Sequence, residues 1–249
     1  MLPACKWPVI GRLEASVVLP AGIAFFCGFL TAADPATAAG TAFAIDTAEV
    51  SEPGSCKVEA WTSWADNRDG LATINPACVV DALVPTEISV QIVRDRTGDE
   101  WSTSLTPKAK SKLVPTSIGS FGFAFAAGTT YDFAASGIAN AFAYVPATLR
   151  MSENTRINLN AGWQVDREAS RHFATYGIGF DWRFTETWIW TIETFGLLGS
   201  APTRSETWPR LQTGFRFRPV DKFSMDFIYG RNINGENADW VTAGTTIRF

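Results

Sequence analysis

The sequence holds one histidine, His172, in "DREASRHF" beside Ser170, Arg167 and Arg171. Nucleophilic hydrolysis needs a hydroxyl and an imidazole within hydrogen-bond reach, with a third group orienting the ring. Ser170 and His172 would share one face of an extended chain. Asp166 or Glu168 would have to orient the ring, and no spacing in the stretch selects either. A histidine among arginines reads as a solvated rim residue, so no catalytic residue is assigned. The cysteines, Cys5, Cys27, Cys56 and Cys78, form no CxxC pair, and with one histidine they offer no zinc site. "YGIGF" (176–180) carries Gly-x-Gly, but a dinucleotide fingerprint runs from strand into helix, and here the strand pattern continues. No cofactor is expected. A formal net charge of −4 gives no basic footprint for nucleic acid.

Charge placed at every second residue is the stronger chemical signal. In "GFRFRPVDKFSMDFIY" (214–229), Phe215, Phe217, Phe223, Met225, Phe227 and Tyr229 alternate with Arg216, Arg218, Ser224 and Asp226. Successive strand side chains point to opposite faces, so this is a hairpin with one oily and one charged face. Asp181, Arg183, Glu193 and Arg248 fall on the polar parity of their own segments. Lys108, Lys110 and Lys112 share a parity if Pro107 does not shift it. Charges lining a water-filled passage select permeating solutes. The same charges paired across a narrow space neutralise one another.

The elements carrying these residues read as strands from residue 55 to the end, with no amphipathic helix among them. Twelve segments are expected: 56–65, 77–83, 87–96, 100–113, 117–128, 136–150, 156–166, 172–184, 187–199, 210–219, 222–232 and 239–249. Pro107 and Pro146 interrupt the fourth and sixth. In the second half, tight links ("MSENT", "FTET", "RPVDK") alternate with longer ones ("DREASR", "GSAPTRSETWP", "INGENA"). That alternation puts short turns on one rim, longer loops on the other, and both chain ends on the short-turn side.

The N-terminus speaks to compartment. Lys6 and Arg12 precede the apolar run "ASVVLPAGIAFFCGFLTAA" (15–33), and small residues follow, with A-x-A sites at 36–38 and 42–44. This is the plan of an export signal, assigned to 1–38 with cleavage between 33 and 44. A signal anchor is the alternative, disfavoured by Pro20 and the Ala-rich exit. Residues 39–54 read as a linker. Cys56 and Cys78 then remain in an oxidising compartment. Their midpoint falls in the turn signal "ADNRDG" (65–70), which sets them opposite each other across a hairpin.

Alternating strands suit a soluble sandwich as well as a membrane barrel. Aromatics are 13% of residues and charges only 18%. Trp182, Phe184, Trp188 and Trp190 gather around one turn, with Trp208 and Trp240 elsewhere, as in an interfacial girdle. Segment lengths near ~9–11 residues suit a tilted transmembrane strand. The last residues, "AGTTIRF" ending in Phe249, resemble the C-terminal strand signature of Gram-negative outer-membrane β-barrel proteins. The region from "GSCKVEAWTSWADNRDG" onward also looks similar to uncharacterised alphaproteobacterial outer-membrane proteins. The resemblance implies recognition of Phe249 by the barrel-assembly machinery and a location in the cell outer membrane among its lipids.

The expected fold is thus an all-β, antiparallel up-and-down transmembrane barrel of about twelve strands over 55–249, with ten as the alternative count, oily outside and charged inside. The expected function is a narrow porin-like channel for small, anionic solutes. A closed-lumen structural or surface-interaction barrel is the alternative. A lipid-modifying enzyme is the minor one, since "DREASRHF" matches neither the outer-membrane phospholipase nor the lipid A deacylase pattern.

Overall fold

The computed structural model describes residues 42–167, 170–199, 209–233 and 238–249. Twelve antiparallel strands follow one another: β1 (Cys56–Ala65), β2 (Gly70–Asp81), β3 (Pro85–Thr97), β4 (Glu100–Val114), β5 (Phe121–Asp132) and β6 (Gly137–Arg150) form the first half. The second half is β7 (Thr155–Asp166), β8 (Arg171–Arg183), β9 (Trp188–Leu198), β10 (Arg210–Val220), β11 (Phe223–Asn232) and β12 (Asp239–Arg248). Each pairs with its sequence neighbour, and β1 pairs with β12 from Lys57↔Arg248 to Ala65↔Trp240, closing the barrel. Closure removes the unpaired edges that an open sheet would present.

The faces are inverted relative to a soluble core. Phe215, Phe227 and Tyr229 of the β10–β11 hairpin are exposed on the outside, as are Ile74, Ile92, Phe125, Val145, Ile178, Val241 and Ile247 around the wall. The largest fully buried side chains are instead Glu59, Asn75, Asn158, Thr148, Thr246, Pro146, Asp226 and Ser224. Outward aromatics mark both ends of this band. Trp64, Trp101, Tyr131 and Trp163 stand exposed at one end, Phe121, Trp182 and Phe184 at the other. At the second end Phe184 and Trp188 pack edge-on against Phe215, and the Trp188 and Phe217 rings lie 4.7 Å apart. An apolar wall between two aromatic belts is the surface that a bilayer covers.

The β1–β2 hairpin is stapled outside. Cys56 is directly opposite Cys78, and the two form a disulfide.

Several expectations need correction. The second strand begins at Gly70, because the chain passes through Pro76 without breaking; the ladder to β3 skips Asn75 and Pro76 and resumes in register at Ala77↔Ser89. Pro107 and Pro146 are accommodated likewise, opposite gaps in the β4–β5 and β5–β6 ladders, so Pro107 leaves the lysine parity unshifted. The fifth strand runs from Phe121 rather than 117. Trp240 does not belong to a girdle: it shares the inward parity of the buried Thr242 and Thr246, and its ring covers Gly230, where an added Cβ would meet it at 2.2 Å. Trp208 lies outside the described residues. The short-turn alternation, read in the second half, does not extend to the first, where the loop-rim links 66–69, 98–99 and 133–136 are all shorter than the opposite-rim link 115–120, and the other opposite-rim link is 82–84. Both barrel ends, the start of β1 and the end of β12, lie on one rim, here called the termini rim.

Candidate functional site: the lumen and its occupant

The lumen is built by the inward parity of each strand, so its chemistry follows from which residues take alternate places. β4 contributes Lys108, Lys110 and Lys112; β8 contributes Asp181 and Arg183; β10 and β11 contribute Arg216, Arg218 and Asp226; Glu193 comes from β9 and Arg248 from β12. Lys108, Lys110, Asp181, Glu193 and Asp226 are buried, and Lys112, Arg183, Arg216, Arg218 and Arg248 partly so.

Strand register pairs many of these charges. Arg216 stands opposite Asp226 and grips it with Nε and Nη2 at 2.7 and 3.0 Å. Asp181 accepts from Arg156, from Thr191 Oγ1 at 2.7 Å and from Asn158 Nδ2 at 2.9 Å. Lys57 lies 3.5 Å from Glu59 and 3.2 Å from Glu87, and Asn75 donates to Glu59 at 3.0 Å. Arg156, Lys57, Glu59 and Glu87 were not singled out from the sequence, although each sits at an inward-parity place beside residues that were. Parity was their signal; Trp61, among the inward residues of β1, masked it there.

The space between the walls is not empty. Residues 42–50, read from the sequence as part of a linker, lie inside the barrel, with Phe43, Ile45, Asp46, Ala48 and Val50 buried. Lys110 Nζ donates to Asp46 Oδ1 at 2.8 Å, Tyr144 OH to Oδ2 at 2.8 Å, and Lys108 Nζ approaches Oδ2 at 3.4 Å. Burial raises the Asp46 pKa, but the Lys110 and Lys108 ammonium groups more than reverse this and hold it well below the usual carboxylate range. Asn160 turns its amide to accept from Asp46 N and donate to Asp46 O, both at 2.9 Å. Glu193 accepts from the amides of Ala44 and Ile45 at 2.9 and 3.2 Å, and from Gln212 at 2.7 Å. Thr148 Oγ1 accepts from Ala48 N at 2.9 Å, Glu49 pairs with Arg156 at 2.9 Å, and Phe43 lies under the Arg216 guanidinium. No periodicity marks this segment, and its partners lie far away in sequence.

On the termini-rim side of the segment a cavity of about 550 Å³ opens, lined by Lys110, Lys112, Arg150, Arg183, Arg218 and Arg248 among others. Lys112, Arg150, Arg183 and Arg248 have no ion pair among the described residues, and Arg218 has only Asp221 at 3.8 Å. Arg183 Nε and Arg248 Nη1 are buried without a hydrogen-bond partner. Carboxylates line the cavity too, Glu49, Glu59, Glu87, Glu153, Asp181 and Asp221 among them. The cations without an ion pair gather towards the termini rim, so the vestibule is basic at its mouth, whereas the deeper lumen is close to neutralised.

His172 falls outside this chamber. It is exposed on the outer wall, where its Nδ1 accepts from the Trp163 indole at 3.2 Å. Asp166, the supposed orienter, is paired with Arg171 at 2.8 Å, and Glu168 lies outside the described residues. Phe249, also exposed, exchanges two backbone hydrogen bonds of 2.9 Å with Cys56. The expected export signal, 1–38, likewise lies outside the described residues.

Comparison with solved structures identifies the fold. The KdgM porin in complex with disordered oligogalacturonate superimposes with a TM-score of 0.60 at 9% identity, covering 78% of this chain and 99% of that one. The NanC porin gives 0.59 at 4% identity, with 76% and 98% covered. The COG4313 outer membrane channel from Pseudomonas putida F1 gives 0.61 at 11% identity, with 81% and 97% covered. These likenesses establish an outer-membrane-type twelve-stranded barrel. No curated protein matches the chain significantly. One family model does, across residues 28–249, and the chain belongs to that family, described as uncharacterised conserved protein UCP029691.

Proposed function

We propose that the chain is an outer-membrane channel for small solutes with a preference for anions. The observation that carries this reading is the vestibule at the termini rim, where Lys112, Arg150, Arg183 and Arg248 face a cavity of about 550 Å³ without an ion pair among the described residues, and Arg218 has only the solvent-exposed Asp221 at 3.8 Å. Uncompensated cations in a low-dielectric mouth raise the local concentration of anions and lower their entry barrier. The likeness to KdgM, NanC and the COG4313 channel supports the class by analogy of fold. Phe249 is the residue presented to the assembly machinery, and bilayer lipids cover the outer wall.

The test is single-channel conductance of the purified full chain in planar bilayers under a salt gradient. The reading expects unitary currents with a reversal potential on the anion side. A folded barrel that stays electrically silent under all conditions and in all variants would refute it. The second reading, a closed-lumen barrel with a structural or interaction role, draws support from residues 42–50 standing across the passage. An enzymatic role is not assigned; lipid hydrolysis lost in His172→Ala would reinstate it.

A further inference from the structure

Residues 42–50 are held in a way that suits release. They form no strand ladder with the wall. Their backbone atoms are met instead by side chains: Glu193 at two amides, Asn160 at the backbone N–H and C=O of Asp46 and Thr148 at one amide. Residues 51–54 leave the barrel exposed, through Pro53 and through Gly54 at φ +86°, a left-handed conformation that glycine adopts without strain.

The centre of this attachment is ionic. Two ammonium groups and a phenol from β4 and β6 converge on one carboxylate, Asp46. Burying charges this way is a weak means of fixing a segment, because desolvation offsets most of the attraction and apolar packing would hold as firmly. It is, however, how a site recognises a carboxylate that comes and goes. The same strand supplies an approach. Lys112, Lys110 and Lys108 take alternate places on β4, about 7 Å apart. Lys112 lines the basic vestibule, Lys110 lines both it and the Asp46 site, and Lys108 is deepest.

We propose that Lys108, Lys110 and Tyr144 form a carboxylate-binding centre at mid-lumen, and that residues 42–50 are a displaceable plug whose Asp46 occupies it in place of the carboxylate of a small acid in transit. This inference rests on the channel reading given above.

The test uses the full chain in planar bilayers. Asp46→Lys sets a like charge beside Lys108 and Lys110 and expels the segment, and Asp46→Asn is the milder form. Open probability is expected to rise at least ~10-fold in Asp46→Lys over the unsubstituted chain. A synthetic peptide of residues 42–54 added from the termini side should close the Asp46→Lys channel. The same peptide with Asn at its aspartate position should bind roughly tenfold more weakly or worse. Potassium acetate should compete with the peptide, and Lys108→Met with Lys110→Met in the Asp46→Lys background should abolish both peptide closure and competition. Equal currents from the unsubstituted and Asp46→Lys chains would overturn the plug, and closure indifferent to the peptide's aspartate would overturn the carboxylate centre. Both results leave the channel reading standing. Silence from every variant that still shows a heat-dependent gel shift would overturn the channel reading itself.

Discussion

Arg216 and Arg218 are two places apart on β10 and face the same lumen, yet their removal should do opposite things. Arg216 forks onto Asp226, whose side chain is 2% exposed. Arg216→Ala strands that carboxylate in a buried site, a loss of about 3–5 kcal/mol, or roughly two to four powers of ten in the folding equilibrium. Arg218 reaches only Asp221 at 3.8 Å, and that aspartate is 96% exposed. Its loss should cost about 0–1 kcal/mol. For permeation the order reverses. The Arg216–Asp226 pair is neutral from a distance, whereas Arg218, 3.8 Å from an Asp221 that solvent screens, keeps much of its charge towards the vestibule. At about 7 Å, an effective dielectric between 80 and 20 makes that charge worth about 0.6–2.4 kcal/mol to a passing anion before salt screening. Screening over a Debye length of about 8–10 Å roughly halves that energy, so Arg218→Ala should lower the anion-to-cation permeability ratio by about twofold to tenfold, with the urea midpoint in detergent nearly unchanged. Arg216→Ala should lower the midpoint sharply, whereas the double variant Arg216→Ala with Asp226→Asn, which removes both charges of the pair, should leave the reversal potential nearly as it was. If the double variant shifts the reversal potential as far as Arg218→Ala, the division into paired lumen and unpaired vestibule is wrong.

Reduction of Cys56–Cys78, which closes a sequence separation of 22, should cost about 3 kcal/mol of stability, read as a lower denaturant midpoint in dithiothreitol. Quenchers carried on lipid chains should dim Trp163 and Trp182, which face outward, and spare Trp240, which faces the lumen; single-tryptophan variants check this. The hold of Asp46 on the lumen wall should be insensitive to mild acid. Its pKa is held down by Lys110 and Lys108, with Tyr144 beside it and Glu87 near Lys110, so its stabilising effect is present above the ordinary value of ~3.9 and is lost only as pH falls through the lower folded value. Glu193, which holds the Ala44 and Ile45 amides, and the Glu49–Arg156 pair also face the plug, so the comparison is made against Asp46→Asn. The ratio of its open probability to that of the unsubstituted chain should stay flat between pH 7 and pH 4, and a ratio that collapses near pH 5 would contradict the assignment.

Much of this was legible in the residues. Phe215 and Arg216 declare their opposite faces because side-chain direction in a strand depends on the backbone of a single residue and nothing further away. Cys56 and Cys78 could be paired because one turn between them sets a hairpin register. Reading failed where a local rule met a tertiary exception. Pro76 looks like a breaker, but the ladder gap opposite it removes the demand for its missing N–H. Trp240 looks like a belt residue, but its parity turns it inward onto Gly230.

By itself, then, the sequence determined where most strands lie and which face is oily, since both rest on period and turn spacing along a short stretch of chain. That twelve rather than ten strands close the barrel was decided by the structure. Which charges are neutralised was decided only by closure and register, because Arg216 meets Asp226, and Lys112 meets no acid, according to which strand lies alongside. The occupation of the lumen was beyond any local pattern. Asp46 finds Lys110 across a separation of 64 residues, and that contact exists only once twelve strands have closed around a segment with no periodicity of its own.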